Sequence, residues 1–173
     1  MSYRPPVPLG PEHQLHDFIC SSPEQSAWLK DHARQSVAMS ATRVFVVTAD
    51  EGAEAIAYFA WTMAQLSSAD APARLRKGGG RYPQPVALLA RLAVHRAHEG
   101  QGLGAALLRD VIARTLAISE GIGCRGLLVH CESDSARSFY RHLVPEFEPG
   151  PTDDLHLVLL LKDIRRTLRE TAS

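Results

Sequence analysis

A glycine-rich turn between an apolar segment and an amphipathic one constrains the fold of this chain more than any other feature. Residues 86–94, VALLARLAV, form a nearly unbroken apolar run with the length of a buried strand. Glycines follow at 100, 102 and 104, and residues 105–118 then place leucine, valine and isoleucine at helical spacing. The N–H groups of a first helical turn lack intrahelical acceptors, and the helix dipole attracts negative charge. The pattern therefore predicts an α/β protein with an anion site at this turn.

Other segments predict a single mixed α/β domain over residues 1–173, with its core at about 8–164 and a charged tail at 165–173. Ser22, followed by Pro23 and Gln25, has the pattern of a helix N-cap, and this helix is expected to reach about residue 35. Runs of β-branched and other apolar residues predict further strands at 42–49, 55–66, 126–131 and 155–164. Helical spacing predicts helices at 103–119 and 133–143.

Composition excludes several classes of protein. The chain is 45% hydrophobic and 22% charged with a formal net charge of zero, as in ordinary soluble domains. No apolar run is long enough to cross a bilayer, and the proline-rich start lacks the apolar segment of a signal peptide. The three cysteines have no CxxC spacing, and the histidine pairs have no convergent further ligands. The sequence predicts a cytoplasmic protein with no membrane contact and no metal.

Several phosphate ligands can be weighed at the glycine turn. A Walker loop needs Lys and then Ser or Thr after its last glycine, and the first lysine after Lys77 is Lys162. A dinucleotide site could use Gly100, Gly102 and Ala105, but too few strand–helix units follow to complete that fold. The pyrophosphate of coenzyme A and a turn that binds no ligand both remain open.

The segment LARLAVHRAHEGQGLGAALL resembles the acyl-CoA motif of the GNAT superfamily of N-acetyltransferases. The resemblance implies a central, mostly antiparallel sheet with a splayed strand pair, flanked by helices. It also implies that acetyl-CoA, the acetyl donor, is held by Leu92, Ala93, Val94, Gln101, Gly102, Leu103, Gly104, Ala105, Ser133 and Ala136. Glu99 departs from the family pattern, which has Gln or Arg there. A carboxylate does not bind phosphate, so binding would depend on backbone donors.

The segment LLVHCESDSARSFYRHL is similar to the closing strand and helix of the TacT-like toxins, a branch that acetylates the amino group of aminoacyl-tRNA. In that branch A-x-x-F-Y carries the catalytic tyrosine, here Tyr140. The resemblance implies a homodimeric toxin that blocks translation and is neutralised by a ribbon–helix–helix antitoxin, with operator DNA bound only through the antitoxin complex. The alternatives are an acetyltransferase for a small amine or a protein N-terminus, and a non-catalytic CoA-binding or corepressor module.

The chemistry implied by this resemblance needs an oxyanion donor and an acid for the departing thiolate. A backbone N–H near Val94 is the expected donor, and Tyr140 the expected acid, since an unperturbed phenol with a pKa of about 10 is protonated at neutral pH. The alternative is that Tyr140 only packs on a helix face. Glu99, Glu132 and His95 are candidate bases, but an α-amino group, with a pKa near 7.7–8.0, needs little help to lose its proton.

Basic residues cluster just before the strand at 86–94. Between residues 70 and 100 the chain has six arginines and lysines and two acidic residues, although its overall charge is zero. A solvated loop and a surface that contacts RNA phosphates are both compatible with this composition. The phosphate interpretation assigns tRNA contacts to Arg74, Arg76, Lys77 and Arg81.

Overall fold

The computed structural model describes residues 2–172; Met1 and Ser173, which the predicted domain includes, lie outside them. Seven strands form one sheet in the order β1-β2-β3-β4-β5-β7-β6. They are β1 (Val7–Pro8), β2 (Arg43–Val47), β3 (Ala57–Leu66), β4 (Gln84–Val94), β5 (Gly126–His130), β6 (Glu148–Pro149) and β7 (His156–Leu160). The helices are α1 (Pro23–Asp31), α2 (Ala33–Ala38), α3 (Ala73–Arg76), α4 (Leu103–Ile118), α5 (Asp134–Leu143) and α6 (Leu161–Ala172).

The strand pairings confirm the predicted mixed α/β fold with a mostly antiparallel sheet. Antiparallel ladders join β1 to β2, β2 to β3, β5 to β7 and β6 to β7, whereas β4 and β5 run parallel. The β4–β5 register covers only Ala87–Leu89 and Leu127–Val129, although β4 itself has 11 residues. Such a short parallel pairing beside a long strand is the arrangement expected of a splayed strand pair. No helix within residues 2–172 is both long and apolar enough to cross a membrane.

The chain divides into two compact units whose boundaries fall within β3, β4 and α4. The first unit contains the residues up to Thr62 and Ala90–Asp110. Its apolar core includes Phe18, Leu29, Val46 and Tyr58, each at most 1% exposed. The predicted helix start at Ser22 is confirmed, because the Ser22 hydroxyl accepts a hydrogen bond from the Gln25 N–H at 3.2 Å. This helix ends at Asp31, earlier than expected, because the backbone leaves helical geometry at His32.

The second unit contains Met63–Leu89 and the residues from Val111 onward. Its core includes Leu75, Val86, Leu128 and Val158. The predicted strand at 155–164 ends at Leu160, and α6 occupies most of the stretch that the sequence indicated as a charged tail. Helical geometry buries Ile164 completely and leaves the basic side chains of this segment on the outer face. Residues 161–172 are therefore an amphipathic helix that covers part of this core.

Candidate active site

The segment between β4 and the glycine turn is anchored by backbone and side-chain hydrogen bonds. The His95 N–H donates to the Ile56 carbonyl and the Arg96 N–H to the Ile19 carbonyl, both at 2.7 Å. A short 3-10 helix follows at Arg96–His98, and the Tyr3 hydroxyl lies 3.0 Å from Nδ1 of His98. These contacts fix the position from which the turn begins.

The turn itself depends on two glycines for its backbone conformation. Gly100 and Gly102 have φ angles of +78° and +80°. L-residues with a Cβ adopt this region rarely, so other residues would strain the turn. A Cβ built at either position meets no heavy atom within 4 Å. Glycine is required here by the chain path, and the space next to the turn is open.

The residue at the N-terminal capping position of α4 is a glycine, which has no side chain to cap the helix. Gly102 occupies the capping position, and its carbonyl accepts the first bond of the helix, from the Ala106 N–H at 3.0 Å. The N–H groups of residues 103–105 therefore precede the first intrahelical bond. By contrast, serine side chains cap α1 and α5. The N-terminus of this 16-residue helix is the positive end of its dipole and lies beside an open turn. Its backbone N–H groups can therefore bind a pyrophosphate.

The other residues predicted to bind acetyl-CoA have different surroundings. Leu92 and Val94 are half-buried at the end of β4, where Ala93 is buried, while Gln101 is exposed on the turn. In α5, the Ser133 hydroxyl accepts a hydrogen bond from the Ala136 N–H at 3.1 Å. The Ser133 hydroxyl caps α5, which commits the Ala136 N–H to the helix. A contact of Ser133 or Ala136 with acetyl-CoA stays a prediction.

Tyr140 lies on the buried face of α5. Its side chain is 6% exposed, and its ring meets the edges of Phe139 and Phe147 with centroids 5.2 and 6.1 Å apart. Burial, with a smaller contribution from the nearby Cys131 thiol, raises the pKa of the Tyr140 phenol above its usual value. Tyr140 is therefore a packing residue of α5, as one of the two interpretations of the sequence expected. It also remains a protonated phenol to high pH. The second property meets one requirement of a general acid, which must carry its proton, while the raised pKa also makes the phenol a weaker acid.

The basic cluster divides into one paired arginine and a set of exposed cations. Arg74 lies in α3, and its guanidinium contacts carboxylate oxygens of Glu148 at 2.6 Å and Asp163 at 2.9 Å. The Asp163 side chain is only 4% exposed, so Arg74 neutralises a buried charge on α6. The predicted tRNA contact of Arg74 therefore competes with these ion pairs. Arg76, Lys77 and Arg81 are exposed, and within residues 2–172 the structure gives none of them a salt-bridge partner.

Replacing Arg74 by alanine is expected to lower the thermal unfolding midpoint by several degrees, because Arg166, at 3.0 Å, is then the one ion-pair partner of Asp163 within residues 2–172. Arg76→Ala is the matched control in the same helix, and its exposed side chain should leave the midpoint unchanged. Calorimetry of both variants measures the difference. Equal midpoints would show that the Arg74 ion pairs do not stabilise the fold.

Sequence reasoning missed Gln84 and Arg125, which contact each other next to the basic cluster. Arg125 donates from Nη1 to Oε1 of Gln84 across a separation of 41 residues. No local pattern marks either residue.

Among the described residues, no group of three or more His, Cys, Asp or Glu side chains could hold a metal ion.

Comparison with protein families places residues 12–143 in the acetyltransferase (GNAT) family. The chain is 38% identical over 163 residues to a tRNA-acetylating toxin of Mycobacterium tuberculosis, a match covering 94% of this chain and 95% of that protein. It is 28% identical over 165 residues to a probable toxin TacT of Sinorhizobium fredii, with 91% of each chain covered.

Solved structures with a similar fold include three toxin complexes. AtaT complexed with acetyl-methionyl-tRNAfMet has a TM-score of 0.86 at 21% identity, covering 96% of this chain and 99% of that one. A tyrosine-to-phenylalanine variant of AtaT, bound to the C-terminus of the antitoxin AtaR and acetyl-CoA, has a TM-score of 0.78 at 20% identity, with 96% and 97% covered. The KacTA–DNA complex has a TM-score of 0.78 at 19% identity, with 98% of both covered.

At these identities the structural likeness establishes the fold. The family match covers most of the chain, and the mycobacterial relative aligns over nearly all of it. This chain belongs to the acetyltransferase (GNAT) family.

Proposed function

We propose that this chain is a toxin that transfers the acetyl group of acetyl-CoA to the α-amino group of an aminoacyl-tRNA and thereby blocks translation. The observation that carries the proposal is the 38% identity, over 94% of this chain, to a protein named for tRNA acetylation. The uncapped glycine turn and the buried phenol supply the two chemical functions that this reaction needs from the protein.

The residues at the start of α4 fit the pyrophosphate of acetyl-CoA. The N–H groups of Leu103, Gly104 and Ala105 precede the first intrahelical bond, and Gly102 at the capping position has no side chain to compete for them. Gln101 and Gly102 continue the same backbone surface. Leu92, Ala93 and Val94 would hold the remainder of the cofactor through their main chain, with an N–H near Val94 directed at the acetyl oxygen.

Acetyl-CoA brings an activated acetyl thioester, and Tyr140 would protonate the departing sulfur. The raised pKa of the buried phenol keeps that proton in place at physiological pH. A tyrosine-to-phenylalanine variant of AtaT is among the similar structures, which supports a role for a tyrosine hydroxyl in this reaction. An α-amino group titrates near pH 7.7–8.0, and esterification of its neighbouring carboxyl lowers that pKa further, so the nucleophile needs no strong base.

The exposed cations Arg76, Lys77 and Arg81 would contact tRNA phosphates. Replacing all three by alanine is expected to weaken tRNA binding and to flatten its salt dependence, since each lost phosphate contact removes roughly 0.7–0.9 from the slope of log K against log salt. Filter binding of charged tRNA at several salt concentrations measures this slope. An unchanged slope would identify these residues as merely solvated and would favour a small-amine substrate.

Partners follow from the same proposal. An antitoxin of the ribbon–helix–helix type, operator DNA bound through that antitoxin, a homodimeric state and a cytoplasmic location remain proposals for this chain. The AtaT–AtaR and KacTA–DNA structures support an antitoxin and a DNA-bound complex. Sedimentation of the purified protein tests the homodimer, and sedimentation after addition of a candidate ribbon–helix–helix protein tests the antitoxin.

The deciding experiment offers radiolabelled acetyl-CoA and a choice of acceptors. Label is expected to enter aminoacyl-tRNA and to be absent from deacylated tRNA, because only the former carries an amino group on its terminal ester. Spermidine and a peptide with a free N-terminus represent the alternative acceptors. Faster labelling of either one would replace the tRNA assignment, and no labelling of any acceptor would favour a non-catalytic module.

A further inference from the structure

The loop that follows α3 is braced from beneath by two side chains. Gln84 is 5% exposed, and its Nε2 donates to the carbonyls of Tyr82 at 2.8 Å and Gly79 at 3.2 Å. Arg125 donates from Nη1 to the Leu75 carbonyl at 2.6 Å and also to the Gln84 amide oxygen. The amide of Gln84 is thereby oriented by Arg125 and in turn fixes the loop backbone at two points.

Glycines allow this loop to approach its brace. Gly78 and Gly80 have φ angles of +83° and +64°, which side chains with a Cβ adopt rarely. A Cβ at Gly79 would lie 2.5 Å from Nε2 of Gln84, so a side chain at position 79 would displace the Gln84 amide from its present position. The three consecutive glycines therefore serve a defined conformation and are not a flexible linker.

Tyr82 projects from this braced loop into solvent. Its side chain is 79% exposed, the largest value among the exposed large hydrophobic residues of the described chain. The backbone carbonyl of the same residue is held by Gln84, so the loop keeps the base of the side chain in place. An aromatic ring exposed to water is stabilised by any flat apolar partner that covers it. Arg81 is adjacent, and Lys77 lies at the start of the loop, both exposed.

We propose that Tyr82 is a stacking platform for an unpaired base of the tRNA substrate, with the neighbouring cations holding the phosphates on either side of that base. An exposed aromatic ring beside cations on a preorganised backbone is the combination that binds single-stranded nucleic acid. A base offers a π face whatever its identity, so the contact contributes affinity and positioning without reading sequence. The inference rests on the proposed function and specifies how its RNA is held.

Three variants at one position test this contact. Tyr82→Phe retains the ring and is expected to keep the Kd for charged tRNA within about twofold of wild type. Tyr82→Leu keeps apolar bulk without a π face, and Tyr82→Ala removes both, so each should raise the Kd on the order of 10- to 100-fold. Because stacking involves no phosphate, the salt slope should stay at the wild-type value in all three variants, unlike in the triple cation variant.

Distinct outcomes would overturn the inference. An unchanged Kd in Tyr82→Ala would mean that no base covers the ring, and equal affinities of the Leu and Phe variants would mean simple apolar contact. A reduced slope of log K against log salt would indicate that the substitution has disrupted the loop that follows α3 and displaced its cations. A change in sedimentation behaviour with unchanged RNA affinity would assign Tyr82 to a contact with a second copy of the chain. Each of these results leaves the proposed function intact if the wild-type protein acetylates aminoacyl-tRNA in the same preparation.

Discussion

Replacement of Tyr140 by phenylalanine is expected to lower kcat by about 10²- to 10⁴-fold, the usual contribution of a general acid, with little effect on the Kd for acetyl-CoA. The variant retains the aromatic ring that meets Phe139 and Phe147, so the fold should be preserved. Only the phenolic hydroxyl is lost, and with it the proton donor for the departing thiolate. Single-turnover acetylation of charged tRNA, combined with calorimetric titration of acetyl-CoA, separates the two effects.

Tyr58→Phe is a matched control for this experiment. Tyr58 is also fully buried, but its hydroxyl donates to the Gln25 carbonyl at 2.7 Å and belongs to the structure of the first unit. Its loss should reduce the free energy of unfolding by about 1 kcal/mol and leave kcat near the wild-type value. If kcat of Tyr140→Phe stays within about threefold of wild type, Tyr140 is a packing residue and the acid must be sought elsewhere.

The pH dependence of kcat provides a second readout for Tyr140. A general acid acts only while protonated, so its activity is lost as pH rises through its pKa. Burial raises the pKa of the Tyr140 phenol, which moves that loss above the ordinary range near pH 10. The rate should therefore rise through neutral pH as the substrate amine loses its proton, and then stay level well into the alkaline range. An early alkaline decline would indicate an acid other than Tyr140.

Features determined by neighbouring residues were predictable from the sequence. The hydroxyls of Ser22 and Ser133 accept hydrogen bonds from N–H groups three residues onward, so each cap is contained in a few letters of sequence. The start of α4 was equally predictable, because glycines on alternate positions and the apolar spacing that follows define both the turn and the helix. The ligand of this turn could not be predicted from the turn's own residues, and its prediction depended on the resemblance to a known family.

Features that depend on distant partners were not predictable. Arg74 looked like a loop cation because its partners, Glu148 and Asp163, lie 74 and 89 residues farther along the chain. Gln84 and Arg125 belong to no sequence motif, yet together they fix the backbone of the loop that follows α3. The C-terminal segment looked like a tail because its charges dominate the sequence. Ile164 and Thr167 are three residues apart, and their joint burial emerges only when the segment packs as a helix.

The second large effect is expected at the start of α4, where Gly104→Val should raise the Kd for acetyl-CoA by about 100-fold or more. Position 104 has helical geometry, so valine is compatible with the backbone. A Cα–Cβ bond in a helix tilts toward the N-terminus, which places a valine side chain next to the uncapped N–H groups. Two or three hydrogen bonds to a charged phosphate, each worth about 1.5–3 kcal/mol, would be lost or lengthened.

Ala106→Val separates this effect from damage to the helix. Position 106 is exposed, and its N–H already donates to the Gly102 carbonyl. The change from alanine to valine costs helix stability, whereas glycine to valine does not, so the control variant should be the less stable and the better binder. Gly102 is a poorer test site because its φ of +80° strains any substitution. Equal acetyl-CoA affinities of Gly104→Val and Ala106→Val would mean that the pyrophosphate does not lie at this turn, because a side chain over the only uncapped donors of α4 would then obstruct nothing.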